Sequence, residues 1–184
     1  IGRVIFGFGG IFYALKMMST AMGPMRDMAW FQNILTHIND SAVVGVGVGT
    51  FLTVLIQSSA ATIAILQNLY ADGALSLQGA LPVLFGDNIG TAITTAALAM
   101  VGSNIAAKRV AASHVLFNVI GTIICLIALV PYGAFIQYLE TTLGLEPKMT
   151  IASAHGTFNI LNTILQFPFI SLLVVLVTKI IPGE

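Results

Sequence analysis

Two apolar runs, residues 43–70 and 74–101, constrain this chain more than anything else in it. Each is about 28 residues long, which at about 1.5 Å per helical residue is roughly 42 Å, whereas a straight bilayer crossing needs only about 20 residues. Each run is cut near its middle by polar residues: Gln57-Ser58-Ser59-Ala60-Ala61-Thr62 in the first, Gly86-Asp87-Asn88-Ile89-Gly90-Thr91-Ala92-Ile93-Thr94-Thr95 in the second. The halves, roughly 13 residues or about 20 Å, are too short to cross alone. The pattern therefore predicts re-entrant hairpins or broken helices in both runs. Irregular backbone at membrane depth survives only where protein or a watery cavity satisfies its N–H and C=O groups. Ser58 and Ser59 before Ala60, and Asp87 and Asn88 before Ile89, are good N-cap residues, so two half-helix amino ends are expected to meet near the bilayer midplane. Such ends carry partial positive charge and free N–H groups that suit an anion, and adjacent unwound carbonyls and hydroxyls suit Na+. That is the arrangement of a solute site in a secondary transporter.

QSSAAT at 57–62 and GDNIGTAITT at 86–95 together resemble the paired QSSS and G-x-NIGTT signatures of the sodium-dependent phosphate cotransporter family, which includes the type II renal and intestinal carriers. The likeness extends through most of the chain, including the basic pair Lys108-Arg109 and two later His-x-x-Phe-Asn segments, and is greatest to the second repeat of bacterial members. It implies an all-α polytopic membrane protein with re-entrant or broken helices, one half of an inverted-repeat transporter. The implied activity is secondary active transport of inorganic phosphate coupled to Na+, with no organic cofactor and no enzymatic step. The implied partners are phosphate, Na+, the lipid bilayer, a second pseudo-symmetric repeat in the same polypeptide or another copy, and in some members a PhoU-like domain. The implied location is a bacterial inner (cell) membrane.

The hydroxyls and amides of the two motifs are expected to serve phosphate through Gln57, Ser58, Ser59 and Thr91, and Na+ through Gln57, Ser59, Thr62, Asn88, Thr91 and Thr95. Ala60 replaces the third serine of QSSS and Ala92 the second threonine of NIGTT, so each motif lacks one hydroxyl. Asp87 stands where most family motifs have a small residue. Its candidacy rests on the default that an intramembrane carboxylate is functional, as a counter-charge for Na+ or a proton carrier, against the alternative of an N-cap at a watery entrance. Asn118 and Asn159 are further candidates. No lysine or arginine lies in either motif, so a phosphate there would need co-bound Na+ to offset its desolvation.

Only 8% of the residues are charged, against roughly 25% in a soluble domain, and mean hydropathy is +0.97, which places the chain in a bilayer. Zero formal net charge argues against a nucleic-acid partner. Cys125, the single cysteine, excludes an internal disulfide and any cysteine-based metal cluster. The first segment lacks the basic start and cleavage site of a signal peptide, and with Ile1 at its head the chain reads as a fragment or processed product.

Residues 1–42 are expected to form a first span over 3–22, with Lys16 snorkelling, then an interfacial amphipathic helix. That helix has Met28, Phe31, Ile34, Leu35 and Ile38 at helical spacing, with Trp30 at interface depth and Arg26, Asp27 and a solvated His37 among its polar residues. Residues 43–101 hold the paired discontinuous segments, in which Gly45 and Gly49 form a small-x-x-x-small pair for helix packing; the strand and lysine of a phosphate-binding loop are missing around them. Residues 102–184 are scaffold helices. Lys108 and Arg109 fall in a loop, cytoplasmic by the positive-inside rule. His114-x-x-Phe117-Asn118 with Thr122 recurs 41 positions on (155 − 114 = 41) as His155-x-x-Phe158-Asn159 with Thr163, one His, Asn and Thr stripe per helix, expected to hydrogen-bond across helices. Residues 131–147 read as an extramembrane loop, and 160–181 as an apolar run interrupted by Pro168. The rival readings are intramembrane hydrolysis by Ser58 or Ser59 with His114 or His155 as base, a non-transporting regulatory module, and transport or export of another oxyanion.

Overall fold

The computed structural model describes residues 1–26 and 28–183; side chains at 15, 18, 19, 22, 23, 25 and 26 also fall outside the description. Asp27 and the Arg26 side chain, placed above in the interfacial stretch, therefore lie outside the described residues. Regular structure among the described residues is helical throughout, in the order α1 (Gly2–Arg26), α2 (Ala29–Asp40), α3 (Ala42–Ile56), α4 (Ser59–Ala71), α5 (Leu77–Met100), α6 (Ile105–Ile127), α7 (Leu129–Leu143), α8 (Pro147–Gln166), a 3-10 turn (Phe167–Phe169) and α9 (Ile170–Ile180). Among the described residues three stretches are long and apolar enough to cross a membrane: Leu77–Met100, Ile105–Ile127 and Pro147–Ile180.

The first long run breaks where its polar residues stand. Gln57 adopts the left-handed conformation at φ 56° and closes α3 by donating its N–H to Thr53 O at 2.8 Å. Ser58 then caps α4, its Oγ accepting from Ala61 N at 3.3 Å. α3 lies parallel to α5, because Gly45 sits beside Gly79 and Pro82, Gly49 beside Val83, and Gly90 beside Thr50 and Thr53. α4 returns antiparallel to both: Thr62 is level with Thr53 and Asp87, and the turn after α4 is tied by Ala74 N donating to Leu69 O. α3 and α4 thus form a re-entrant hairpin. Its tip reaches the level of Asp87, near the middle of α5, a helix about 36 Å long at about 1.5 Å per residue.

The second run, contrary to the expectation of a matching break, is one helix, Leu77–Met100. Asp87 and Asn88 are buried mid-helix residues, not caps. The polar groups are met without opening the backbone: Asn88 Nδ2 donates to Leu84 O at 3.0 Å, Thr91 Oγ1 to Asp87 O at 2.9 Å, and Thr94 and Thr95 to Thr91 O. Gly86 and Gly90 serve contact, not a turn. A Cβ on Gly86 would strike Val46 O, and one on Gly90 would stand 2.7 Å from Thr50 O. With Gly45 and Gly49 on the facing helix they let two backbones touch, as small residues do between membrane helices. Among the described residues only one half-helix amino end, that of α4, therefore opens beside the middle of α5.

Further corrections follow the same logic of local satisfaction. Lys108 and Arg109 lie in the first turns of α6, because Asn104 caps it by accepting from Ala107 N at 2.9 Å; Arg109 donates to Ile181 O at 3.0 Å and Gly183 O at 2.6 Å. Residues 131–147 are mostly α7, whose Tyr132, Gly133 and Ile136 are buried and whose Tyr132 hydroxyl donates to Ala154 O at 2.6 Å. The repeated stripe keeps its local geometry, with Asn118 donating to His114 O at 3.0 Å and Asn159 to His155 O at 2.9 Å. Both amides are thus turned back on their own helices, as is Thr163, which donates to Asn159 O at 2.8 Å; of the stripe, Thr122 bonds across as expected, to Phe85 O of α5 at 3.3 Å, and outside it Gln166 of α8 reaches Phe117 O of α6 at 2.8 Å.

Phe85 of α5 stacks on Phe158 of α8 at 5.0 Å and leans on Tyr132 at 5.7 Å, which sets the hairpin and α5 against the scaffold. α2 turns Leu35 and Ile38 inward and leaves Trp30 exposed. The described side chains of α1 are exposed. Because backbone, not a flexible side chain, faces Gly49, Gly49→Val is expected to cost about 1–3 kcal/mol or more through overpacking. Gly47→Val, whose Cβ meets nothing within 4 Å, is expected to be close to neutral. Thermal unfolding of the two variants in detergent checks the difference.

Candidate functional site

The hairpin tip presents two kinds of backbone ligand at one depth. α3 ends there with carbonyls that have no helical continuation, and α4 begins there with N–H groups that have no partner of their own helix. Ser58 Oγ takes one of these, that of Ala61. Gln57 is exposed and Ser58 and Ser59 are half-buried, so an amide and two hydroxyls border the open side of the tip beside the positive end of α4.

The buried side of the tip carries a hydroxyl-carboxylate group that ties three helices together. Thr53 Oγ1 of α3 donates to Asp87 Oδ1 of α5 at 2.7 Å, lies 3.0 Å from Thr62 Oγ1 of α4, and is within 2.9 Å of Gly49 O. Thr53 has one hydroxyl proton, and the carboxylate is its strongest acceptor. Thr62 in turn reaches Thr53 or Ser58 O, the latter at 3.3 Å. Thr53, Thr62 and Asp87 are each about 1% exposed. Asp87 Oδ2 is buried without a hydrogen-bond partner. Alongside, Thr50 Oγ1 donates to Gly86 O at 3.0 Å.

Of the residues named from sequence, the structure gathers Ser58, Thr62 and Asp87 around the tip. Gln57 and Ser59 flank them by chain neighbourhood. Asn88 is buried with its amide donating within α5; Thr91 is half-buried with its hydroxyl on Asp87 O; Thr95 is exposed with its hydroxyl on Thr91 O. Asn118 and Asn159 stand on α6 and α8, bonded within those helices. Thr53 was not named. Its signal was present in the sequence: it follows Gly49 by four residues, so it shares the face by which α3 meets α5. Among the described residues no group of three or more His, Cys, Asp or Glu side chains is placed to hold a metal ion.

A family model described as Na+/Pi-cotransporter matches residues 25–145. YqeW of Bacillus subtilis is 33% identical over 184 residues, covering all of this chain and 58% of that protein. YjbB of Salmonella typhimurium, by its name a candidate inorganic phosphate export protein, is 27% identical over 184 residues, again all of this chain and 33% of that protein. The human sodium-dependent phosphate transport protein 2B is 30% identical over 151 residues, 76% of this chain and 21% of that protein. The chain therefore spans between about a fifth and three fifths of these relatives' lengths. No solved structure matches it.

Loss of the Thr53 donor would leave both Asp87 oxygens without a partner. Thr53→Val is expected to destabilise the protein by about 1–3 kcal/mol, the range for a buried polar group left unsatisfied. The same change should cost less in an Asp87→Asn background, where no charge is left unmet. A double-mutant cycle by unfolding in sodium-free detergent solution checks the coupling.

Proposed function

Because the chain belongs to the Na+/Pi-cotransporter family, we propose that it forms part of a secondary transporter that moves inorganic phosphate across a cell membrane coupled to Na+. The observation that carries this reading is the re-entrant hairpin, whose tip opens the amino end of α4 half-way along α5. Phosphate is assigned to the free N–H groups of α4, to Ser58 and Ser59, and to Gln57, with Thr91 at the margin. Na+ is assigned to oxygen ligands of the tip, drawn from Gln57, Ser59, Thr62 and neighbouring carbonyls. Since α5 is unbroken, Asn88, Thr91 and Thr95 contribute side chains only, and no second helix end supplies N–H donors.

No lysine or arginine lies in α3, α4 or α5. A divalent anion brought there loses its hydration without a fixed counter-charge, at a cost of many kcal/mol. Co-bound Na+ supplies that charge, and each ion then raises the affinity for the other by the same factor. Coupling is thus a consequence of what the site lacks. A second, pseudo-symmetric repeat is the partner that would complete the site from the other side, and the exposed α1 and the share of the relatives' length left uncovered both support it. A PhoU-like domain and a bacterial inner membrane belong to the same proposal. Reversibility of the coupling admits net export, the direction named for YjbB.

Proteoliposomes holding the protein are expected to accumulate phosphate when an inward Na+ gradient is imposed and to do so far less in equimolar K+. Equal uptake in both would refute the coupling. Gln57→Ala, which removes an exposed amide at the tip without touching the core, is expected to lower uptake about tenfold or more, the scale of one hydrogen bond to a charged ligand.

A further inference from the structure

Among the described residues one buried side-chain oxygen is left without a partner. Asp87 Oδ2 is a carboxylate oxygen in the middle of a span, on a residue 1% exposed, with no hydrogen-bond partner. Its sister oxygen is fixed by Thr53 at 2.7 Å, and the two share one carbon. Oδ2 is therefore held beside the point where α3, α4 and α5 meet. The helices that meet there carry no lysine or arginine to pair with it, although intramembrane charges are otherwise paired or face a pathway.

We infer that Asp87 Oδ2, held by Thr53 and flanked by Thr62, is the charged ligand of a Na+ site on the buried side of the hairpin tip, distinct from the open side assigned to phosphate. Carboxylate and hydroxyl oxygens suit a hard cation. One carboxylate, with no second acid in α3, α4 or α5, balances a monovalent ion, while dedicated Ca2+ sites gather several carboxylates. Thr62 Oγ1 donates its single proton to Thr53 or Ser58 O and keeps its lone pairs for a cation. Ser58 O, 3.3 Å from Thr62 Oγ1, brings a carbonyl of the interrupted step to the same group, a ligand type used where membrane helices are broken. Thr53 is a positioning residue: it spends its one hydroxyl proton on Asp87 Oδ1 and so aims the carboxylate. Ion binding at this point joins the hairpin to α5, so occupancy of the buried side stiffens the tip on which the open side is built.

This deepens the transport reading and rests on it for its physiological meaning, but it is tested by binding alone. Purified protein in phosphate-free detergent solution is unfolded thermally in NaCl, KCl and N-methyl-D-glucamine chloride at one ionic strength and pH. The wild type is expected to gain melting temperature with Na+ in a saturable way and not with the other two. Asp87→Asn should abolish the gain, and Thr53→Val should raise the half-saturating Na+ concentration about tenfold, equivalent to about 1.4 kcal/mol. Thr53→Ser, which keeps the hydroxyl, should restore it. If Asp87→Asn does not fold, equilibrium binding of 22Na+ to the wild type and the two Thr53 variants decides the matter. An equal response to Na+ and K+ in the wild type, a full Na+ gain in Asp87→Asn, or unchanged affinity in Thr53→Val overturns the inference. Phosphate uptake that needs Na+ and survives Asp87→Asn would overturn it while leaving transport intact. Asp87-dependent Na+ binding together with Na+-independent uptake would sink the coupling and leave the site standing.

Discussion

Backbone lies against backbone where α3 runs along α5, and the rest of the structure depends on that closeness. Four glycines make it possible, Gly45 and Gly49 on one helix and Gly86 and Gly90 on the other. Short hydroxyl side chains can then span the interface: Thr50 reaches a carbonyl of α5, and Thr53 reaches the Asp87 carboxylate. Larger residues at the glycines would push the helices apart and leave those groups stranded in an apolar medium, where unmet polar atoms are expensive. The hairpin is thus held at its depth by contact first and by hydrogen bonds second. The aromatic group of Phe85, Tyr132 and Phe158 fixes the opposite face of α5.

From that frame the electrostatics follow. The tip combines the positive end of α4, uncharged side chains and a single buried acid, with no fixed cation among the three helices that form it. An anion on the open side and a cation on the buried side would each lessen the other's cost of leaving water. Binding energy is then conditional on both ions being present, which is what a coupled carrier requires. A site lined by arginine would bind phosphate without help and lose that condition.

Much of this was legible in the residues. The break at Gln57 and Ser58 could be read because hydroxyls and an amide interrupt an apolar run too long for one span, and the role of Gly45 and Gly49 because they recur four apart. The sequence suggests a second break that α5 does not have, because Gly86, Asp87 and Asn88 carry the same outward signs as a cap. What the sequence hides is that Asn88 and Thr91 can bond back to carbonyls of their own helix while Gly86 and Gly90 are consumed by contact with α3, 36 and 37 residues away in the case of Thr50 to Gly86 and Thr53 to Gly90. Thr53 escaped notice for the same reason, since its partners lie on other helices. α7 reads as a loop in sequence because Gln137, Glu140, Pro131 in its first turn and Pro147 beyond its end obscure the helical spacing of Tyr132 and Ile136. Long-range contacts settle the parts played by Gly86, Gly90 and Thr53, while Asn88 and Thr91 are met locally by carbonyls four residues back.

A hairpin tip that holds phosphate and Na+ together shields its own side chains only when both are bound. Gln57→Cys, introduced with Cys125→Ala to remove the buried native thiol, tests it through the rate of modification by a membrane-impermeant methanethiosulfonate. Modification is predicted to be slowed by phosphate and Na+ added together and hardly at all by either one alone. A rate unaffected by the pair, or lowered as much by phosphate without Na+, would contradict the account.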